Sequence, residues 1–178
     1  MRDDTAKWPA PSVGVKPDVA GGGVTLRHVS GLRQTLISGP LAKGLSYTEQ
    51  ARAVEWPDAA KGGDYAVSLR RDRILLVGGD IPKFGWLDAH GLAVSDVSAG
   101  YDLVEICGPG AFDLLRTGTE VSLTEPSRSA LRLWQGYGAI LYRYEASDCF
   151  RMHVASGHFE GVWEMLIRQV ELIAERFN

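Results

Sequence analysis

Residues 102–116 read DLVEICGPGAFDLLR. The run predicts a strand over 101–107, Gly108-Pro109-Gly110 a tight corner, and residues 110–116 a short helix. A strand, a glycine turn and a helix start form the outline of a phosphate-binding loop. A dinucleotide turn needs GxGxxG, and its third glycine is missing here. A P-loop needs Gly-Lys-Ser/Thr, which is also missing. Asp113 adds a carboxylate to the first helical turn, where it complements the helix dipole and would repel a phosphate. The stretch therefore reads as a strand-to-helix corner, and Gly118 stands where it could end the helix.

Working outward, strands are expected at 129–135, 138–144 and 149–154. In the last, Phe150, Met152 and Val154 share one face and Cys149, Arg151 and His153 the other. A helix over 157–176 follows. Phe159, Val162, Trp163, Leu166, Val170, Ile173, Ala174 and Phe177 recur at spacings of three and four, with Glu160, Glu164, Arg168, Glu171 and Glu175 elsewhere on the wheel. Toward the N-terminus, 24–38 reads as two strands around Ser30-Gly31, and 65–70 with 73–77 as a second hairpin. Ser46-Tyr-Thr-Glu49 has capping-box spacing, so a short helix through Ala53 is expected, stopped by Trp56-Pro57. Residues 80–92 are ambiguous, and Leu92–Val97 alternates as a strand. Strands, a short helix, more strands and a long packing helix define an α+β fold of antiparallel sheets with packed helices.

Residues 1–23 hold three prolines, four glycines and no periodic pattern. They read as an extended arm that could reach about 75 Å, which leaves 24–178 as one domain. The chain has 178 residues, 45% hydrophobic and 23% charged, with a formal net charge of −3. A chain of this size can bury roughly 70% of its unfolded surface. No Lys/Arg cluster suits a nucleic-acid backbone, and no apolar run is long enough to span a membrane. The acidic, proline-broken N-terminus has no signal-peptide core, so a cytoplasmic location is expected. Cys107 and Cys149 are far apart and outside any CxxC, and are expected as two reduced, buried thiols.

The chemistry-bearing residues form no familiar constellation. His28, His90, His153 and His158 make no HExxH or HxH, so His153 and His158 read as separate polar residues and no metal site is expected. No serine occupies a GxSxG turn, and Ser95-Asp96-Val97-Ser98 reads as a strand end with local hydrogen bonds to the backbone. Trp163 belongs to the core by its helical position. Trp8 and Trp56 fall in irregular segments and suit either local packing or an interface.

Leu92-Ala-Val-Ser-Asp-Val-Ser98, Val104-Glu-Ile-Cys-Gly108, Ala111-Phe-Asp-Leu-Leu115 and Phe150-Arg-Met-His-Val154 together resemble the folate-binding fold of the aminomethyltransferase (glycine-cleavage T-protein) superfamily. The resemblance is clearest over 90–178. Within that superfamily, the short length and the ending VASGHFxxVWxxL most resemble the gamma subunit of heterotetrameric sarcosine oxidase. Catalytic members resemble one another in a Gly-Gly-x-x-Asp-Asp run on the strand after the small helix, whose aspartate acts on the folate-borne one-carbon unit. The matching ribbon here is Gln135-Gly-Tyr-Gly-Ala-Ile-Leu-Tyr-Arg143, and no aspartate lies between Asp113 and Asp148. The asparagine that usually ends the next strand is replaced by Val154-Ala-Ser156.

The resemblance thus implies a fold kept without the reaction. The chain would be a non-catalytic structural subunit, with no catalytic, cofactor-binding or metal residues of its own. Its partners would be an alpha subunit carrying NAD and tetrahydrofolate and a beta subunit carrying FAD and FMN, which oxidatively demethylate sarcosine or a related N-methyl amine. The alternative is a stand-alone tetrahydrofolate-binding protein, with Glu105, Glu120 or Glu145 as the substitute carboxylate.

Overall fold

The quoted stretch folds as a strand, Tyr101–Cys107, a glycine corner and a six-residue helix, Ala111–Arg116. The structure is a computed structural model, and it describes residues 14–176. In chain order the strands are β1 (Val19–Gly21), β2 (Val24–Val29), β3 (Gln34–Ser38), β4 (Ala53–Val54), β5 (Ala59–Ala60), β6 (Tyr65–Arg70), β7 (Arg73–Val77), β8 (Gly85–Leu87), β9 (Leu92–Asp96), β10 (Tyr101–Cys107), β11 (Leu131–Trp134), β12 (Tyr137–Tyr144) and β13 (Cys149–Ala155). The helices are α1 (Leu41–Tyr47), α2 (Ala111–Arg116) and α3 (Phe159–Arg176), the last entered through a 3-10 turn at Ser156–His158.

Two sheets carry the fold. The first runs β1-β2-β10-β13-β12-β11, with β5 paired to β12. The second runs β4-β6-β7-β3-β9-β8. Pairing is antiparallel except for β4 with β6 and β5 with β12. On the outer face of the first sheet, Val104, Ile106, Leu141, Phe150 and Met152 pack against Ala111, Leu114, Leu115, Val162, Trp163 and Leu166 of α2 and α3. Between the sheets lie Tyr65, Val67, Leu75, Val77, Ile140 and Tyr142. The outer face of the second sheet buries Ile37, Ala66, Ile74 and Leu76, with Leu41 and Leu45 of α1 packed against them. The layers are thus helix, sheet, sheet, helix. With buried layers on both sides, the central strands read as near-continuous buried runs: β13 is buried at six of its seven positions.

Four expectations are corrected. The reading of 1–23 as an arm fails at its C-terminal end, where Val19–Gly21 pairs antiparallel with Val24–Leu26; residues 1–13 lie outside the described residues. The strands β2 and β3 both form but enter different sheets, because the Ser30–Arg33 link crosses from one layer to the other. The capping box does not form. Helix α1 begins after Pro40 and ends at Tyr47, where the Thr48 hydroxyl donates to the Gly44 carbonyl, and Glu49 takes a left-handed φ of 55°. The apolar side of this short helix, Leu41 and Leu45, packs against the second sheet. The cysteines are not free thiols. Cys107 and Cys149 lie directly opposite each other on β10 and β13 and are joined as a disulfide. They are 42 residues apart in sequence, so only the long-range pairing of the two strands brings them together.

Candidate functional site

The Gly108-Pro109-Gly110 corner is occupied by the chain's own backbone. Gly108 has φ +113°, and a Cβ there would lie 2.3 Å from the Gly23 carbonyl oxygen; one at Gly110 would lie 2.7 Å from Gly22 O. The Gly110 N–H donates to Gly23 O at 3.1 Å. The β1–β2 turn therefore fills the place a phosphate would take, and it holds the backbone donor a phosphate would need. The glycines serve close backbone packing. Gly118 also has a packing role. Its φ is not left-handed, and a Cβ there would sit 2.6 Å from Trp134 Nε1.

The densest buried polar cluster lies between the sheets, on the faces of β13, β10 and β12 opposite the helices. The strand alternation aims Arg151 and His153 inward beside Glu105 of β10 and Tyr142 of β12. His153 Nδ1 lies 2.7 Å from Gln34 Oε1, and His153 Nε2 2.6 Å from the Tyr142 hydroxyl. The Tyr142 and Tyr65 hydroxyls are 2.9 Å apart, and Arg151 donates to the Tyr65 hydroxyl at 2.7 Å. Arg151 Nε also donates to Glu105 at 3.1 Å, and Arg27 donates to the other oxygen of that carboxylate. The Arg151 guanidinium lies 3.3 Å from the Tyr144 ring centre.

The donor order of this chain is fixed at its ends. The Gln34 amide nitrogen donates to Tyr101 O at 2.9 Å, so its oxygen accepts from His153 Nδ1–H. His153 Nε2 then accepts from Tyr142, which accepts from Tyr65, which accepts from Arg151. Every link is satisfied with a neutral imidazole. Burial, with the Arg151 charge adding to it, pulls the His153 pKa down to about 3. Burial likewise raises the Tyr65 and Tyr142 hydroxyls above their ordinary value. The network ties Gln34 and Tyr65 of the second sheet to Arg151, His153 and Tyr142 of the first. Its groups pair with one another, which suits an interior clamp.

The candidate carboxylates do not converge. Glu105 is buried and held by Arg27 and Arg151. Glu145 follows β12 and accepts the Gly62 N–H at 2.7 Å, and Glu120 is exposed beyond α2. Glu105, Cys107 and Cys149 bring a carboxylate oxygen and two sulfurs within 4.8 Å of one another. The sulfurs are bonded to each other and the carboxylate faces two arginines, so the trio offers no thiolate and no free charge to a cation.

The histidines scatter. His153 is interior, while His158 packs at a tilt against Tyr137, ring centres 5.3 Å apart, and His90 against Tyr47 at 5.7 Å. His28 packs against Phe159, accepts the Lys16 N–H at Nδ1 and lies 3.2 Å from Asp102 through Nε2. Ser98 donates its hydroxyl and its N–H to Asp96, and these bonds hold that carboxyl below its usual range. Trp56 is buried, with its Nε1 donating to Ser122 O at 2.6 Å, whereas Trp86 is 61% exposed. Trp8 lies outside the described residues.

This two-sheet α+β arrangement is a fold shared with a sarcosine oxidase chain and with an aminomethyltransferase. It superposes on a chain of the heterotetrameric sarcosine oxidase from Corynebacterium sp. U-96, solved in complex with pyrrole 2-carboxylate, with a TM-score of 0.67 at 20% identity, covering 88% of this chain and 89% of that one. It also superposes on the glycine cleavage system aminomethyltransferase T from Bartonella henselae, with a TM-score of 0.52 at 18% identity, covering 82% of this chain and 45% of that one. The chain thus spans less than half the length of that transferase. No family model and no curated sequence matches it. Among the described residues, no helix is long and apolar enough to cross a membrane.

Proposed function

We propose that this chain is a non-catalytic, structural gamma-type subunit of a sarcosine oxidase-like flavoenzyme assembly. The assembly would oxidatively demethylate sarcosine or a related N-methyl amine. FAD, FMN, NAD and tetrahydrofolate would be held by alpha- and beta-type partners. The observation that carries this reading is the nearly end-to-end match to a chain of a heterotetrameric sarcosine oxidase, 88% of one chain on 89% of the other. The pairing of Glu105 with Arg27 and Arg151 supports it, because the best-placed substitute carboxylate is engaged in the interior.

The test is co-expression of a tagged chain with alpha- and beta-type flavoprotein chains of the same source. Mass by light scattering and flavin absorbance are then read on the purified material. A stoichiometric, flavin-bearing complex that oxidises sarcosine is expected. A chain that purifies alone, with no flavin under any of these pairings, would sink the proposal. Titration with tetrahydrofolate, followed by tryptophan fluorescence, addresses the stand-alone alternative.

A further inference from the structure

An open groove of about 1350 Å³ lies between the Arg70–Asp72 turn of the β6–β7 hairpin and the start of β11. Its floor is backbone held in place: Ala130 N–H donates to Ser68 O at 2.8 Å, and the Ser129 hydroxyl to Leu69 O at 2.7 Å. Leu131 lines it, 41% exposed, and Leu133, two residues further along the same face of β11, is 66% exposed. Register explains the exposure. Leu131 pairs with Ile140, whose side chain enters the core between the sheets. β11 is the last strand of its sheet, and the second sheet does not cover its leucines. An apolar strip at a sheet edge is a surface proteins ordinarily protect or use.

The charge around this strip selects its occupant. Arg70, Arg71 and Arg128 line the groove, against Glu55 and Asp72. Among the described residues, none of the three arginines has a carboxylate partner, in a chain whose net charge is −3. Arginine beside exposed apolar residues is the composition of protein interfaces. An isologous contact with a second copy would set these arginines against one another. The groove is also larger and more open than the enclosed pockets that hold small molecules.

We propose that the groove seats an extended acidic segment of a partner polypeptide. The segment lies along β11, with an apolar side chain against Leu131 and Leu133 and carboxylates facing Arg70, Arg71 and Arg128. This rests on the reading of the chain as a subunit and names the surface that reading requires.

The experiment uses the full chain co-expressed with the alpha- and beta-type flavoprotein chains of the proposed assembly. Arg70→Glu, Arg71→Glu and Arg128→Glu are introduced together, with Trp86→Ala as a control on β8, the far edge of the second sheet. The expected result is a loss of co-purified flavin of at least tenfold in the triple variant, an unchanged melting midpoint, and no loss in the control. Separately, a photo-crosslinking residue at Leu133 in the otherwise unaltered chain is expected to mark an Asp/Glu-rich segment of a partner. This arm keeps the idea testable if the triple variant does not fold. Assembly that survives the charge reversal, or a crosslink only to a second copy of this chain, would overturn the groove and leave the subunit reading standing. An unaltered chain that never assembles would remove both.

Discussion

His153 Nε2 accepts a hydrogen bond from the Tyr142 hydroxyl across 2.6 Å, in a site where neither ring nitrogen is left for solvent. The imidazole is wholly buried and neutral, with its pKa drawn down to about 3 by burial and by Arg151. In the unfolded chain it would titrate near 6.5. Below that value the unfolded state binds a proton that the folded state refuses, so stability falls as pH drops from 6.5 toward 3. The slope approaches about 1.4 kcal/mol per pH unit once the unfolded histidine is charged. Urea titrations between pH 7 and 5, above the range where most carboxylates titrate, should show this slope, and His153→Gln should flatten it. Equal slopes for the two proteins would contradict the assignment.

Removing one partner of the Arg151–Glu105 pair should cost more than removing both. The two are buried on adjacent strands in register, with Arg151 Nε 3.1 Å from the carboxylate. Arg151→Met leaves a buried carboxylate facing only Arg27 and is expected to cost about 3–5 kcal/mol. Adding Glu105→Gln to that variant should recover part of the loss. Chemical denaturation of the two singles and the double variant gives the coupling directly.

The long helix and the two faces of β13 were legible because their periods survive in the sequence. Val162, Trp163, Leu166, Val170 and Ile173 are all buried as the spacing requires. The interior network left a trace too, in Arg151 and His153 alternating with Phe150, Met152 and Val154. A polar row on a strand ordinarily faces water, and only the second sheet stacked over it makes it interior. That stacking, like the Cys107–Cys149 pairing, is long-range and has no local signature. Helix α1 was misplaced for the opposite reason. The Ser46–Glu49 spacing is a sound local signal, but a helix this short takes its position from the packing of Leu41 and Leu45 on the second sheet. For the groove beside β11 the sequence held only the Arg70-Arg71 pair, a distant Arg128 and two leucines, which no motif joins.

The cysteine pair gives a measurement of its own. Intact protein should react with no thiol reagent until reduced, and reduction should add two mass units. The bond spans 42 residues, and a chain-entropy estimate for a loop of that size is about 4 kcal/mol. Replacing both cysteines with serine should lower the melting midpoint in oxidising buffer and match the reduced parent in reducing buffer. Two reactive thiols in protein purified without reductant would restore the sequence-based expectation.

Gly108→Ala tests what the glycine corner is for. If the corner were a ligand loop, alanine would disturb binding and leave the fold largely intact. The structure requires a positive φ of 113° there and places the new methyl carbon 2.3 Å from the Gly23 carbonyl oxygen. The three nearest atoms, from Gly23 and Val24, are all backbone and cannot rotate away, so the β1–β2 turn must move and the Gly110 N–H to Gly23 O bond with it. A loss of about 2 kcal/mol or more is expected. Gly31→Ala supplies the comparison, since Gly31 also has a positive φ, of 75°, but open space around it. Its cost should be limited to the backbone conformation, about 1 kcal/mol. Gly108 lies further from the left-handed well than Gly31, so the difference between the two variants reports that extra backbone strain together with the clash against the β1–β2 turn, and equal costs would mean that the turn does not press on the corner.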